Sequence, residues 1–374
     1  MQVPASPAAQ ALPVEQPQLS VIDRLLPIWI LAAMALGILL GRVFPHLGEA
    51  LDRIQVAGVS LPIAFGLLWM MYPVLARVKY EALGRFRAQG RLFLTSMAFN
   101  WLLGPALMFA LAWVFLPDLP HYRNGLIMIG LARCIAMVLI WNMLARGDGD
   151  AAAVLVALNS LFQILFYSVL GWFYLTALPG WLGAERTAFS VSMWDIAKSV
   201  LFFLGIPLAA GAATRLLLVP RRGADWYDNV LMPKLAPTAL LGLLYTIVLM
   251  FAMQGDRILA APLDVARIAV PLIIYFLVMF TLAFVVSQRL GFSYPETAAL
   301  SFTAAGNNFE LAIAVAVGVF GIASGEGLAG VVGPLIEVPV LLALVYVSLW
   351  LRTRLFPHTS QGTPSPAVME PVKP

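Results

Sequence analysis

Apolar residues run along this chain in segments of about 20, the length needed to cross a bilayer as a helix. They fall at 25–44, 61–78, 92–116, 124–145, 151–177, 196–219, 236–254, 267–289, 296–321 and 328–351. The pattern predicts an all-α polytopic membrane protein with ten transmembrane helices. Two segments break the pattern from within. Residues 129–142 place Arg133, Cys134 and Asn142 in one span, and residues 302–318 place Asn307, Asn308 and Glu310 in another. An ionisable side chain at the bilayer centre costs about 2.5 kcal/mol or more, so such groups face a cavity or pathway. The two segments read as one site.

A faint internal repeat points the same way. Segment 2 runs Pro62-Ile-Ala-Phe-Gly66-Leu-Leu-Trp69, and segment 7 runs Pro237-Thr-Ala-Leu-Leu-Gly242-Leu-Leu-Tyr245. The offset of five spans is odd, so two such halves run through the membrane in opposite directions, the inverted-repeat plan of many secondary transporters. That plan pairs segment 4 with segment 9, the two polar-interrupted spans, and predicts a midplane site made from broken helices. Lysine and arginine concentrate on one side of the predicted spans, above all in the loop holding Arg77, Lys79, Arg85, Arg87 and Arg91. The positive-inside rule then puts both termini in the cytoplasm of a cell-membrane protein.

Composition narrows the class. The chain is 61% hydrophobic and 11% charged, against about 45–50% and 25% in soluble domains. The spans leave no room for a separate soluble domain within residues 23–356, which read as one transporter unit. Residues 1–22 and 357–374, rich in proline and small or polar residues, read as disordered cytoplasmic tails, the first lacking the features of a cleavable signal. The net charge of +4 sits in short loops beside spans and argues for membrane orientation, not for nucleic acid. One cysteine and three histidines outside the predicted spans (His46, His121, His358) argue against a protein-built zinc site, and no cofactor is called for. No recognisable cluster of nucleophile, base and oxyanion donors suggests an enzyme.

The chemistry lies in a few polar residues. Cys134 is either a small apolar packer or a functional thiol. The neighbouring Arg133 favours the thiolate, the form that binds soft metals and metalloids. Arg133 itself either serves the substrate or makes a structural pair with Glu310 or backbone carbonyls. Asn142, Asn159 and Gln163 are polar neighbours in segments 4 and 5, and Asn307 and Asn308 suit an unwound crossing and can donate to substrate oxygens. Glu310 is a proton-coupling residue or a buried structural acid; Glu337, between Pro334 and Pro339, is its candidate partner. Glu296 sits at a helix start, where acids are favoured anyway. Gly37 and Gly41 are spaced for helix packing. Pro105, Pro207, Pro271, Pro334 and Pro339 are expected to kink their spans. Trp29, Trp113, Trp172, Trp181 and Trp350 suit an interfacial belt.

The segments ARCIAMVLIWN at 132–142 and FTAAGNNFELAIAVAVGVFG at 302–321 resemble the arsenite efflux permeases of the bile acid/arsenite/riboflavin transporter superfamily. PIAFGLLWMMYPVLARVKYE at 62–81 and ALNSLFQILFY at 157–167 are similar too. The resemblance implies two inverted halves of five helices. Spans 1, 2, 6 and 7 form a panel, and spans 3–5 and 8–10 form a core in which broken helices 4 and 9 cross. It implies that Cys134 and Glu310 match the family's essential cysteine and glutamate. Gly306 departs from the family pattern, where many members carry Ser; this bears on backbone flexibility at the crossing, not on the chemistry. Trivalent arsenic is held stably by three thiolates, and one sulfur with oxygen ligands holds it reversibly, as a carrier requires. The implied function is export of arsenite, with antimonite as a lesser substrate, by proton antiport: Cys134 would be the metalloid ligand, Arg133, Asn142, Asn159, Gln163, Asn307 and Asn308 would line the substrate site, and Glu310 and Glu337 would carry the proton. The rival readings are a sodium-coupled organic-anion carrier of the same superfamily and a membrane sensor built on a transporter core.

Overall fold

The computed structural model describes residues 25–51, 55–56, 59–78, 90–135, 137–183, 192–260, 262–321 and 324–356. The terminal segments read as disordered tails, most of the basic 79–89 loop, and His358 lie outside the described residues. The described chain is helical apart from one hairpin of two-residue strands, β1 (Gln55–Val56) and β2 (Val59–Ser60). Its main helices are α1 (Leu26–Val43), α2 (Leu61–Ala76), α3 (Gly90–Phe115), α4 (Pro120–Leu131), α5 (Met137–Leu144), α6 (Gly149–Trp181), α7 (Met193–Arg222), α8 (Ala224–Met253), α9 (Pro262–Arg289), α10 (Tyr294–Ala305), α11 (Phe309–Phe320) and α12 (Gly325–Leu355). Among the described residues α3, α6, α7, α8, α9 and α12 are long and apolar enough to span a membrane, and α1, α2 and α11 are shorter apolar helices.

Several helices carry prolines without breaking, and the local geometry explains how. In α3, α6, α7 and α8 one wide π turn precedes Pro105, Pro179, Pro207 and Pro233. The residue before each proline donates its N–H to a carbonyl five residues back, as Gly104 does to Phe99 and Ile206 to Leu201. The wide turn makes room for a ring that would strike the carbonyl four residues back in a regular helix. Pro271, Pro334 and Pro339 instead sit inside uninterrupted α-helix.

Glycines set how closely the helices approach. A Cβ on Gly37 or Gly41 of α1 would lie 2.5 Å from Val248 O or 2.2 Å from Ala252 O of α8. On Gly211 of α7 it would lie 2.7 Å from Ala76 N of α2, and on Gly242 of α8, 2.8 Å from Met70 N of α2. So α1, α2, α7 and α8 touch backbone to backbone, where only glycine fits. Tyr227 ties the same group by donating to Ala76 O at 2.9 Å. Outward, lipid-sized residues are exposed along these helices, among them Leu31, Phe65, Leu216 and Leu241. Trp29, Trp181 and Trp350 are exposed near helix ends and Trp172 is exposed within α6, while Trp113 lies under the Arg123 guanidinium, 3.8 Å from its ring.

Candidate functional site

The site is built where α4 gives way to α5 and α10 to α11. Gly306-Asn307-Asn308 ends α10 for local reasons. Glycine and asparagine are weak helix formers, and the Asn308 side chain caps α11 by accepting from Leu311 N at 2.9 Å. The stretch from Ala132 to Ile135 has no such residues, and its break is held from outside. Asn307 and Arg133 form an antiparallel bridge. Cys134 N donates to Gly306 O at 3.3 Å, and Asn308 N donates to Ala132 O at 3.0 Å. Each break thus satisfies backbone groups that the other leaves open, which a membrane interior demands.

Two side chains pin the bridge from opposite flanks. Gln163 of α6 accepts from Arg133 N at 3.0 Å, and Glu337 of α12 accepts from Asn307 N at 3.1 Å. In both cases the acceptor lies 30 residues beyond the donor. A second constant step, of 174 residues, carries Ala132 to Gly306, Arg133 to Asn307, Cys134 to Asn308 and Gln163 to Glu337. The Asn307 amide adds bonds to Ile129 O at 2.8 Å and Ala132 O at 3.1 Å.

Cys134 is buried, and its Sγ accepts from Val138 N at 3.3 Å. The sulfur thus accepts from the start of α5, much as the Asn308 oxygen does for α11. A helix N-terminus favours an electron-rich group there. Glu310 stands in the first turn of α11 and is partly exposed, whereas Glu337 is buried. Several buried polar atoms around the crossing have no protein partner: Arg133 Nε, Asn307 Oδ1 and Asn308 Nδ2. A cavity of about 650 Å³ approaches from the side of Arg77, bounded by α2, α6 and α8 and reaching Ile135, the residue after Cys134.

The crossing gathers Arg133, Cys134, Gln163, Asn307, Asn308 and Glu337, with Glu310 a turn away on α11. Asn159 sits behind it, accepting from Asn100 Nδ2 and Trp101 Nε1, both at 3.3 Å. Asn142 lies at the far end of α5, where its amide donates to Asp148 O at 3.0 Å and closes the turn into α6. Of the two structural partners considered for Arg133, the carbonyl is the one found: its guanidinium donates to Gly130 O, and to Tyr275 Oη at 2.8 Å. Tyr275 escaped the sequence reading, although a tyrosine in the middle of a span was a signal. Gly104 belongs with it, since a Cβ there would lie 2.8 Å from Arg133 Nη1. We expect Tyr275→Phe to lower stability by about 1–3 kcal/mol, because it leaves a buried guanidinium N–H without its acceptor. Thermal unfolding in detergent measures it, and an unchanged midpoint would refute the role.

Two further features lie outside the crossing. His121 lies in the first turn of α4, which starts at Pro120, and its Nδ1 meets the buried Glu326 at 3.0 Å. Glu296 accepts from Ser293 N at 2.9 Å, the start-of-helix role expected of it.

Comparisons with known proteins place the chain among its relatives. The family model described as Sodium Bile acid symporter family matches residues 64–261. The chain is 52% identical over 341 residues to the arsenical-resistance protein Acr3 of Corynebacterium glutamicum, covering 91% of this chain and 92% of the relative. It is 32% identical over 351 residues to the Acr3 protein of Alkaliphilus metalliredigens, covering 91% and 95%. An uncharacterised transporter of Synechocystis sp. is 34% identical over 348 residues, 88% of each chain. The chain therefore belongs to the Sodium Bile acid symporter family of multi-pass membrane transporters, among the Acr3 arsenical-resistance proteins.

Proposed function

We propose that this protein exports arsenite from the cytoplasm in exchange for protons, with antimonite as a lesser substrate. The observation that carries the reading is the crossing itself: a lone thiol just before one half-helix and a carboxylate in the first turn of the other, in a chain similar to Acr3 proteins along its length. A single sulfur holds trivalent arsenic reversibly, and Glu310 is the accessible acid for a coupled proton, with Glu337 behind it. Cys134 would bind the metalloid. Arg133, Asn307 and Asn308 would supply polar contacts, while Gln163, Asn159 and Asn142 would hold the half-helices in place.

Counting α4 with α5 and α10 with α11 as single spans gives ten crossings in two inverted halves, with both termini in the cytoplasm. The constant sequence step between the two breaks and their pins supports that repeat. The glycine-mediated group α1, α2, α7 and α8 would be the panel, and the remaining helices the core. On this topology the 650 Å³ cavity opens to the cytoplasm, from which the substrate would enter.

The test is arsenite uptake into everted membrane vesicles. Accumulation should follow an imposed pH gradient, collapse with a protonophore and persist without Na⁺. The family model's sodium symporter description favours one rival, a sodium-coupled organic-anion carrier. Uptake that requires Na⁺ and ignores the protonophore would replace the proposal with that rival.

A further inference from the structure

On the topology proposed above, α4 and α12 both begin at the outer face, and there they hold an acid and a base that the crossing does not use. His121 Nδ1 and Glu326 Oε1 are 3.0 Å apart, with the His121 side chain 52% exposed and that of Glu326 0% exposed. The second carboxylate oxygen, Glu326 Oε2, is buried without a hydrogen-bond partner. Among the described residues, His121 is the charged or titratable group that faces this carboxylate. From α4, Asn124 also turns its side chain to it and Tyr122 packs on Gly325. Arg123 turns away, to the Trp113 ring and Pro117 O. From α11 and α8, Val317 and Met250 close over the neighbouring Gly327. Burying a carboxylate is costly unless it is paired. Here the pairing group is an imidazole that stands between outer water and an acid that water does not reach.

The pair also caps the two helix segments that carry the crossing. His121 stands 11 residues before Ala132, where α4 breaks, and Glu326 stands 11 residues before Glu337, the pin on Asn307. Eleven residues make close to three turns, so Glu326 and Glu337 share a face of α12, about 16 Å apart. Between the pair and the crossing, α4 and α12 touch with no room for a side chain. A Cβ on Gly125 would lie 2.7 Å from Ala329 Cβ and 2.8 Å from Glu326 O, and one on Gly325 would lie 2.8 Å from His121 Cβ. Close-packed interiors transmit strain, so a change in the bond at the outer end reaches the break and the pin.

We infer that His121 and Glu326 form a second proton-binding site of the carrier, loaded from outside, which sets how export responds to external pH. This rests on the exchange and topology proposed above; Glu310 remains the site of the exchanged proton. Imidazole changes charge between about pH 5 and 8. A proton taken up from outside turns a hydrogen bond from a neutral ring into one between opposite charges, which is shorter and stronger. The outer ends of α4 and α12 are then held more tightly when external protons are plentiful.

Initial rates of arsenite uptake into everted vesicles, whose lumen is the former outside, test this with wild type, Glu326→Gln and His121→Asn. Both variants keep a hydrogen bond between the two positions but remove the titrating pair. Lowering luminal pH from about 7.5 to about 6 should speed wild-type uptake, and the variants should shrink that rise about threefold, a ratio matching the net worth of one hydrogen bond. Their KM for arsenite and their response to bath pH should stay as in wild type. A luminal-pH profile unchanged in both variants, or one that falls in parallel at every pH, makes the pair a structural pin and overturns the inference. Wild-type vesicles that move no arsenite would instead refute the function proposed above. Modification of purified wild-type protein by diethyl pyrocarbonate, which attacks neutral imidazole, needs neither transport nor a folded variant. Labelling of His121, read by mass spectrometry, should fall as the pH drops from about 8 to about 6. Labelling that stays constant would overturn the site.

Discussion

Replacing Cys134 by serine will stop arsenite export while leaving the protein folded. Serine is slightly smaller and keeps an acceptor where Sγ now receives Val138 N at 3.3 Å, so the start of α5 keeps its cap. The backbone bond from residue 134 to Gly306 O does not involve the side chain and should survive. The expected stability change is therefore within about 1 kcal/mol, the net worth of an ordinary hydrogen bond. What serine lacks is softness. Thiolate ligands select soft metals and metalloids, and an uncharged hydroxyl does not replace them. We expect uptake in everted vesicles to drop by far more than tenfold, to the level of vesicles without the protein. Serine-variant vesicles with wild-type uptake would make the thiol a packing group and turn attention to the sodium-coupled rival.

The same residues show what a sequence can and cannot disclose. The second break was legible because Gly306, Asn307 and Asn308 are poor helix formers and Asn308 is a natural cap. The first was legible only as an oddity: Ala132-Arg133-Cys134-Ile135 contains nothing that ends a helix. Its break is a tertiary effect, enforced by Gln163, Gly306 and Asn308 reaching across from α6, α10 and α11. Gln163 and Glu337 stood out as polar groups in apolar spans. That each accepts from a backbone N–H 30 residues earlier could not be read, since no local pattern encodes a long-range bond. Arg133 had two structural partners in prospect, and the geometry chose a carbonyl and a tyrosine over Glu310. Most helices follow the apolar runs to within a few residues, because polar loops bound them, but α8 begins at Ala224 where its run was expected from 236. The earlier start of α4 at Pro120 was not readable either, and it places His121 beside Glu326.

Coupling should separate from folding at Glu310. Glu310→Gln retains the size and hydrogen-bonding capacity of the side chain in the first turn of α11 but cannot take or release a proton. The crossing does not depend on it, since the bonds that join the two breaks come from Asn307, Asn308, Cys134, Gln163 and Glu337. The variant should therefore reach the membrane in normal amount and retain some arsenite binding, yet lose accumulation driven by a pH gradient. Glu310→Asp should retain part of it with a displaced pH profile, because a shorter carboxylate still titrates from a position drawn back toward α11. The logic is that of a two-state carrier. A ligand moves the equilibrium between inward- and outward-facing forms only by the difference in its affinity for them. A site that gains a proton outside and gives it up inside supplies that difference for arsenite at Cys134. Glu337 provides the internal comparison. Its counterpart Gln163 already holds the matching backbone N–H with an amide oxygen, so Glu337→Gln preserves the pin while removing a second titratable group. Imposing the same pH gradient on vesicles of wild type, Glu310→Gln and Glu337→Gln decides between the acids. Gradient-driven accumulation at wild-type level in Glu310→Gln, with its loss in Glu337→Gln, would move the coupled proton from Glu310 to Glu337.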